Sequence, residues 1–305
     1  MRIFLTGASG FIGRELCLQL SAAGHQISAL VRREGSQPPG TSPVRGELTD
    51  AQTLREALAA ERPQCVIHLA AEIASQRNAA KIQAVNVAGT ASLLDACRET
   101  PRAGEPQPRI VFASTVVTGD ALGALLTEDT PLPVHTAYGR SKHQGEQMVL
   151  QSGLPAVVIR PSHVYGAGSW YESEIVARLR SPGRFAQIGA GENLWDVVRV
   201  EDVASAILAA VASAPDGAIY HVVDDEPITY RQFMRLTADA LGLGAPRRVP
   251  VALARLIAGA GAVDALLRSA RSSNAKLKRE LGWHPRWPRA SEGIPDAVAR
   301  ITASP

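Results

Sequence analysis

Arg2-Ile-Phe-Leu-Thr6 and the segment after it, Gly7-Ala-Ser-Gly-Phe-Ile-Gly13, read as a short buried strand running into a glycine turn that opens a helix. The helix continues to about Ala23, Gly24 ends it, and His25 to Val31 is a second apolar strand. Strand, turn, helix and strand fit within about thirty residues, the length of a βαβ unit. In such a unit one glycine permits the tight turn, one lets the backbone approach a pyrophosphate, and one allows close helix packing. The helix N-terminus adds free N–H groups at the positive end of its dipole. The segment therefore predicts dinucleotide binding; an unoccupied structural turn is the alternative.

The end of the second strand is where an adenosine ribose is read, and an acidic residue there favours NAD. This chain has Arg32 and Arg33 instead. Two guanidinium groups suit a 2′-phosphate, which they hold by charge-assisted hydrogen bonds, so NADP(H) is favoured over NAD(H). A solvated basic turn is the other reading of the pair.

Beyond a loop rich in Pro, Gly and Ser (35 to 43) the pattern resumes. Val44 to Leu48 is a short strand that carries Glu47 near the adenine edge, Ala51 to Ala60 a helix, and Gln64 to Ala70 a strand ending in His68-Leu-Ala-Ala71. A long helix covers roughly Arg77 to Glu99 and carries Asn86; Arg109 to Ala113 is the next strand, with Ser114 and Thr115 at its carboxyl end, where open α/β sheets place ligands. A helix from Tyr138 to Leu150 leads into a strand from Ala156 to Arg160. This alternation predicts an α/β fold with a doubly wound, mostly parallel sheet of the Rossmann type. Residues 1–160 are the expected dinucleotide-binding domain. Residues 161–305, richer in turns, are mainly a smaller substrate-binding α/β portion, with about 200–223 returning to the sheet as a helix (Asp202 to Ser213) and a strand (Ala218 to Val223).

Composition narrows the function classes. The 305 residues are 46% hydrophobic and 20% charged with a net charge of +3, and the basic residues are scattered, which argues against a nucleic-acid partner. Cys17, Cys65 and Cys97 are odd in number and lie in apolar runs, the pattern of reduced thiols in a cytoplasmic protein, and no Cys or His spacing suits a metal. No signal-peptide pattern opens the chain. The longest apolar segment, Val251 to Leu267, is interrupted by Arg255 and Asp264, so it reads as an amphipathic helix and no membrane partner is expected.

Tyr138-Gly-Arg-Ser-Lys142 carries the chemistry. Residues four apart share a helix face, so phenol and ammonium point into one site. A tyrosine titrates near ~10 unperturbed, and a neighbouring cation favours the phenolate, which predicts that Lys142 brings Tyr138 closer to acid–base use at neutral pH. A Tyr-x-x-x-Lys taken alone is also a common solvated helix face.

With these motifs in order, the sequence resembles the extended short-chain dehydrogenase/reductase family, the NAD(P)-dependent epimerase/dehydratase group. The resemblance rests on Thr6 to Gly13, His68 to Ala71, Asn86, Ser114, Tyr138 with Lys142, Arg160-Pro161 with Tyr165-Gly166, Asp202-Val203-Ala204 and Leu281-Gly-Trp283. It implies that Tyr138 exchanges a proton with the substrate oxygen while the nicotinamide exchanges a hydride with the same carbon. Lys142 would hold the nicotinamide ribose, and Ser114 would hydrogen-bond the reacting oxygen. Gly7, Gly10, Phe11, Ile12 and Gly13 would cradle the pyrophosphate, Leu69, Ala70 and Ala71 would line the cofactor, and Glu47, Leu48, Asn86, Pro161 and His163 complete its cleft. A homodimer is a further implication of the resemblance.

Departures from the family pattern narrow the substrate. Dehydratases of the family carry an acidic pair where this chain has Thr115 and Val116, and sugar-nucleotide epimerases carry Asn and Arg where it has His163 and Trp195. Trp195 cannot pair with a phosphate. The segment around Arg268 and Arg271 is a candidate substitute for that arginine, so the epimerase reading is weakened and not removed. Thr115, His163, Trp170 and Trp195 suggest a pocket for a small, rather apolar carbonyl or alcohol; the tryptophans also read as core residues. The expected function is an NADP(H)-dependent oxidoreductase on a small organic or sugar-like substrate. The alternatives are a nucleotide-sugar epimerase that retains its NAD(P), and a redox-silent cofactor-binding protein.

Overall fold

Strands that are apolar at consecutive positions need cover on both faces. The computed structural model, which describes residues 1–303 except 74, 77, 102–103 and 182–186, shows how this chain supplies it. Seven strands form one sheet in the order Ile219–Val222, Ala156–Pro161, Arg109–Ala113, Cys65–His68, Arg2–Thr6, Gln26–Val31 and Ser42–Arg45, each neighbouring pair parallel. Successive side chains alternate between two dry cores. Ile3 and Leu5 enter the one covered by helices Phe11–Ala22 and Val200–Ser213. Phe4 enters the other, under Ala51–Glu61, Gly89–Glu99 and Ala137–Leu150. The fold is the doubly wound α/β sheet that the alternation predicts.

Strand order reverses between Arg2–Thr6 and Cys65–His68, because the chain winds outward through Gln26–Val31 and Ser42–Arg45 and then returns to the opposite side of its first strand. Carboxyl ends flanking such a switch point leave a crevice between the diverging loops, which is where the site must be sought. The sixth strand in chain order, Ala156–Pro161, pairs with Ile219–Val222 from the later part of the chain.

Between and after those two strands lies a third core, rich in aromatic rings: Tyr165, Tyr171, Trp195, Tyr230 and Phe233 are all buried there. Polar contacts join the chain beyond it to the helix Val200–Ser213. The Asp202 carboxylate, in the first turn of Val200–Ser213, accepts hydrogen bonds from the backbone N–H groups of Arg286 (2.7 Å) and Trp287 (3.2 Å), and the Trp283 indole donates to Ser205 (2.9 Å). The motifs at Asp202 and at Leu281-Gly-Trp283 thus meet across about eighty residues of sequence.

Element boundaries move for identifiable reasons. The third strand is Ser42–Arg45 and not Val44 to Leu48, because Asp50 caps the next helix through Gln52 and Thr53, leaving Gly46 to Thr49 as its approach. The long helix expected from Arg77, which lies outside the described residues, is capped by Asn78 and interrupted by a π-helical turn at Ala84–Ala88 that contains Asn86. The segment from Val251 to Leu267 is two helices, Val251–Ala258 and Ala260–Leu267, broken at Gly259, with Arg255 and Asp264 paired across the break at 2.6 Å. Among the described residues no helix is long and apolar enough to cross a membrane.

Candidate active site

The first strand ends at Thr6, and Gly7 turns the chain with φ +79°, a left-handed conformation costly for any residue with a Cβ. Space is as restrictive as the dihedral. A Cβ on Gly7 would lie 2.7 Å from the Ala70 nitrogen and 2.9 Å from the Leu69 carbonyl carbon, and one on Gly13 would collide with the carbonyl oxygen of Gly7. The glycine turn therefore packs directly on Leu69 and Ala70, and the helix Phe11–Ala22 rises from it without a side-chain cap or an acid in its first turn. Its first N–H groups are left for an outside acceptor. A pyrophosphate fits this cradle: glycine backbone on one side, uncapped helix donors at the end, and a backbone too close for side chains.

Behind the cradle runs a fully assigned chain of hydrogen bonds. The Thr90 hydroxyl donates to the Asn86 carbonyl (2.7 Å), so it must accept from His68 Nε2–H (3.0 Å). His68 Nδ1 then accepts from Thr6 Oγ1 (2.7 Å), which itself accepts from the Ala70 N–H (3.3 Å). Burial, followed by the charge of Lys142, pushes the His68 pKa down to about 3, so the ring stays neutral and serves as a fixed spacer.

Asn86 closes the next link. Its Nδ2 donates to Ser141 Oγ and to the Glu72 carbonyl (both 2.9 Å), its Oδ1 accepts from the Glu72 N–H (2.7 Å), and Ser141 donates to the Tyr138 carbonyl (2.8 Å). The π turn thereby ties the loop after Cys65–His68 to the start of helix Ala137–Leu150, which Thr136 caps through Gly139. Asn86 is a bracket between these elements.

Tyr138, the second residue of that helix, is half-buried, and Lys142 is buried with its ammonium 4.3 Å above the Phe112 ring. Ser114 follows the strand that carries Phe112 and is itself buried. Among the described residues, the Ser114 Oγ, Tyr138 hydroxyl and Lys142 Nζ have no hydrogen-bond partner, and none of the three is walled off as a buried orphan. Burial pushes the Tyr138 pKa up to about 12. It pushes Lys142 down to about 7, against the opposing pull of Glu146. The expected lowering of the tyrosine by the lysine is therefore not what the protein shows on its own: desolvation governs both groups, and the ammonium that would act on the phenol is itself disfavoured.

Across the crevice, His163 lies 4.9 Å from Trp195 with the rings 11° apart, and its Nδ1 is 3.0 Å from the Asp196 carbonyl. A carbonyl only accepts, so Nδ1 bears the proton and Nε2 is an acceptor. Trp195 is 1% exposed and donates to the Leu266 carbonyl (3.2 Å). Its ring is part of the aromatic core, and the edge offered to a ligand belongs to His163. Trp170 is half-buried against Phe233, and Thr115 is buried, its hydroxyl bound to the Pro161 carbonyl at 3.1 Å. Arg268, considered as a phosphate-binding substitute, is buried and donates to the carbonyls of Gly119 (2.6 Å) and Val116 (2.9 Å). Arg271 donates to the Gly123 carbonyl (3.0 Å).

At the far end of the cradle Arg32 and Arg33 are exposed, and no ion pair engages them among the described residues. Glu47 is exposed, and Leu48 is buried against Gly89. Sequence reasoning did not single out Thr90, Ser141 or the buried Glu146–Arg160 pair. Glu146 carried one signal, its position four residues after Lys142. Among the described residues no group of His, Cys, Asp or Glu could hold a metal ion.

The profile of the NAD dependent epimerase/dehydratase family matches residues 3–223. A 3-diazoavenalumate denitrifying reductase from a Streptomyces species is 30% identical over 302 residues, covering 96% of this chain and 99% of that protein. A 4-hydroxy-2-methyl-3-oxo-4-farnesyl-3,4-dihydroquinoline-1-oxide ketoreductase from Stigmatella aurantiaca is 31% identical over 314 residues, covering 93% and 92%. Among solved structures, the UDP-glucose 4-epimerase of Thermus thermophilus in complex with NAD superposes with a TM-score of 0.82 at 27% identity over 100% of both chains.

Proposed function

The chain belongs to the NAD dependent epimerase/dehydratase family and is an NAD(P)-dependent oxidoreductase, and from that premise we propose that it reduces a carbonyl, or oxidises the matching alcohol, on a small organic substrate with NADP(H). One observation carries the reading. The Ser114 Oγ, Tyr138 hydroxyl and Lys142 Nζ make no hydrogen bond to another described residue, and Ser114 follows the carboxyl end of a strand parallel to the one that runs into the glycine cradle.

The cradle at Gly7 to Gly13 would hold the cofactor pyrophosphate, Arg32 and Arg33 a 2′-phosphate, and Lys142 the nicotinamide ribose. The bound nicotinamide supplies or takes up the hydride. Ser114 donates to the substrate oxygen and sets its position. Tyr138 delivers the proton to that oxygen in reduction and removes it in oxidation, so the alkoxide never builds up free charge. With its own pKa pushed up to about 12, the phenol carries its proton at neutral pH, the form that a proton donor needs. Acting as a base asks more of Lys142, whose charge must then approach the phenol.

A sugar-nucleotide epimerase is the second reading, favoured by the NAD-bound epimerase neighbour. Against it stand the acceptor Nε2 of His163, the core position of Trp195, and Arg271 bound to a backbone carbonyl, while Arg268 spends Nε and Nη2 on carbonyls and keeps only Nη1. The two relatives that match more than nine-tenths of the chain are named as reductases.

The test pairs Tyr138→Phe with cofactor titration across a carbonyl panel. Retained NADPH affinity with at least about a hundredfold loss of turnover is expected, the range of a lost general acid. Unchanged turnover in a folded variant removes Tyr138 from the mechanism. Conversion of a substrate over many turnovers without net NADPH consumption selects the epimerase.

A further inference from the structure

Lys142 is 4% exposed, and among the described residues no carboxylate pairs with it; its described neighbour is the Phe112 ring. A buried ammonium in that position is costly unless a negative charge lies close by. Glu146 supplies one. It lies one helical turn further along Ala137–Leu150, on the same face and 2% exposed, yet it is turned away into a two-point ion pair. Arg160, on strand Ala156–Pro161, donates from Nε to Glu146 Oε2 (3.0 Å) and from Nη2 to Oε1 (2.5 Å). The third guanidinium nitrogen, Nη1, is 3.3 Å from His221 Nε2. Arginine has no acceptor, so His221 accepts there and is neutral.

The other polar groups of the neighbouring elements do not replace Glu146. Tyr138 on its own helix is a neutral phenol, His68 at the end of Cys65–His68 is neutral, Ser114 is uncharged, and Arg160 is a cation. We propose that Glu146, pinned by Arg160, is a positioning residue for Lys142: it holds the ammonium in place through space while Arg160 stops the carboxylate from seizing it, so that Nζ stays free for the cofactor ribose. A direct Lys142–Glu146 contact would satisfy the charge and silence the lysine. The geometry separates those two outcomes. The inference rests on the reading that Lys142 contacts the cofactor, and the test separates the two claims.

The experiment is NADPH binding, followed by protein fluorescence, against pH for the wild type, Lys142→Met, Glu146→Gln and Glu146→Gln/Lys142→Met, with circular dichroism confirming folding. The ammonium exists below its pKa, so wild-type affinity falls as pH rises through about 7. That step is absent in Lys142→Met, whose remaining pH dependence belongs to the cofactor. In Glu146→Gln the step moves to lower pH by about one unit or more, tenfold in the protonation equilibrium, and in the double variant it vanishes. A Glu146→Gln profile that superimposes on wild type overturns the inference. So does a shift that persists without Lys142, since Glu146 would then act by another route. A Lys142→Met profile that keeps the wild-type step instead takes Lys142 out of the cofactor site, and the inference falls with it. Where Glu146→Gln does not fold, Glu146→Gln/Arg160→Met removes both charges of the buried pair; a shift in the same sense is expected, and none overturns the proposal.

Discussion

At the scale of single residues, much of this protein's chemistry follows from which polar groups are already spoken for. Arg268 and Arg271 reach backbone carbonyls, whereas Arg32 and Arg33 extend into solvent with no ion pair among the described residues. An exposed guanidinium contributes little to folding but a good deal to a bound phosphate, because two parallel N–H donors match its oxygens. Arg32→Ala should therefore leave thermal stability unchanged and weaken NADPH binding about tenfold, or about 1.4 kcal/mol, with NADH affinity nearly constant. Parallel titrations of both cofactors check it. Equal loss for the two would assign Arg32 to a part of the dinucleotide that they share.

At the scale of elements, the π turn Ala84–Ala88 stands out because it places Asn86 where a regular helix would not. Its carbonyl is occupied by the Thr90 hydroxyl, which also receives His68 Nε2–H. Thr90→Val keeps the shape and removes the hydroxyl, leaving a buried donor and acceptor unmatched at a cost of about 1–3 kcal/mol. Urea denaturation measures it; a change below about 0.5 kcal/mol, the range of surface substitutions, would mean that the chain from Thr6 to Asn86 is dispensable. The same element shows how far the sequence could be read. Gly7 and Gly13 were legible, because an apolar strand before them and a helix after them leave the turn little else to be. Asn86 was legible as a residue and not as a π turn, since one extra residue in a helix barely disturbs its apolar period. The Thr6–His68 contact joins residues 62 apart and the Glu146–Arg160 pair residues 14 apart. Such separations are fixed by sheet order, which no local pattern encodes.

At the scale of the whole molecule, the return of the chain to the sheet through Ile219–Val222 leaves Asp224 at the seam between the sheet and the aromatic core. Its carboxyl is 5% exposed, and neither oxygen has a partner. Burial first, then the charges of Asp202 and Asp225, hold its pKa well above the usual carboxylate range, with Arg199 opposing. The consequence for stability has a definite sign. An acid whose folded pKa is raised binds a proton in the native state that the unfolded chain has already released, so its contribution is complete below the unfolded carboxylate pKa near ~3.9 and is lost as pH rises toward the folded pKa. Over that window one such group lowers stability by up to about 1.4 kcal/mol per pH unit. Asp224→Asn removes the titration while keeping the shape. Urea unfolding at pH 5 and pH 8 should show the variant more stable than wild type, by a margin that widens at pH 8. A margin that is equal at both pH values would mean that Asp224 does not hold a proton in the folded protein and that its charge is met by the Arg199 guanidinium.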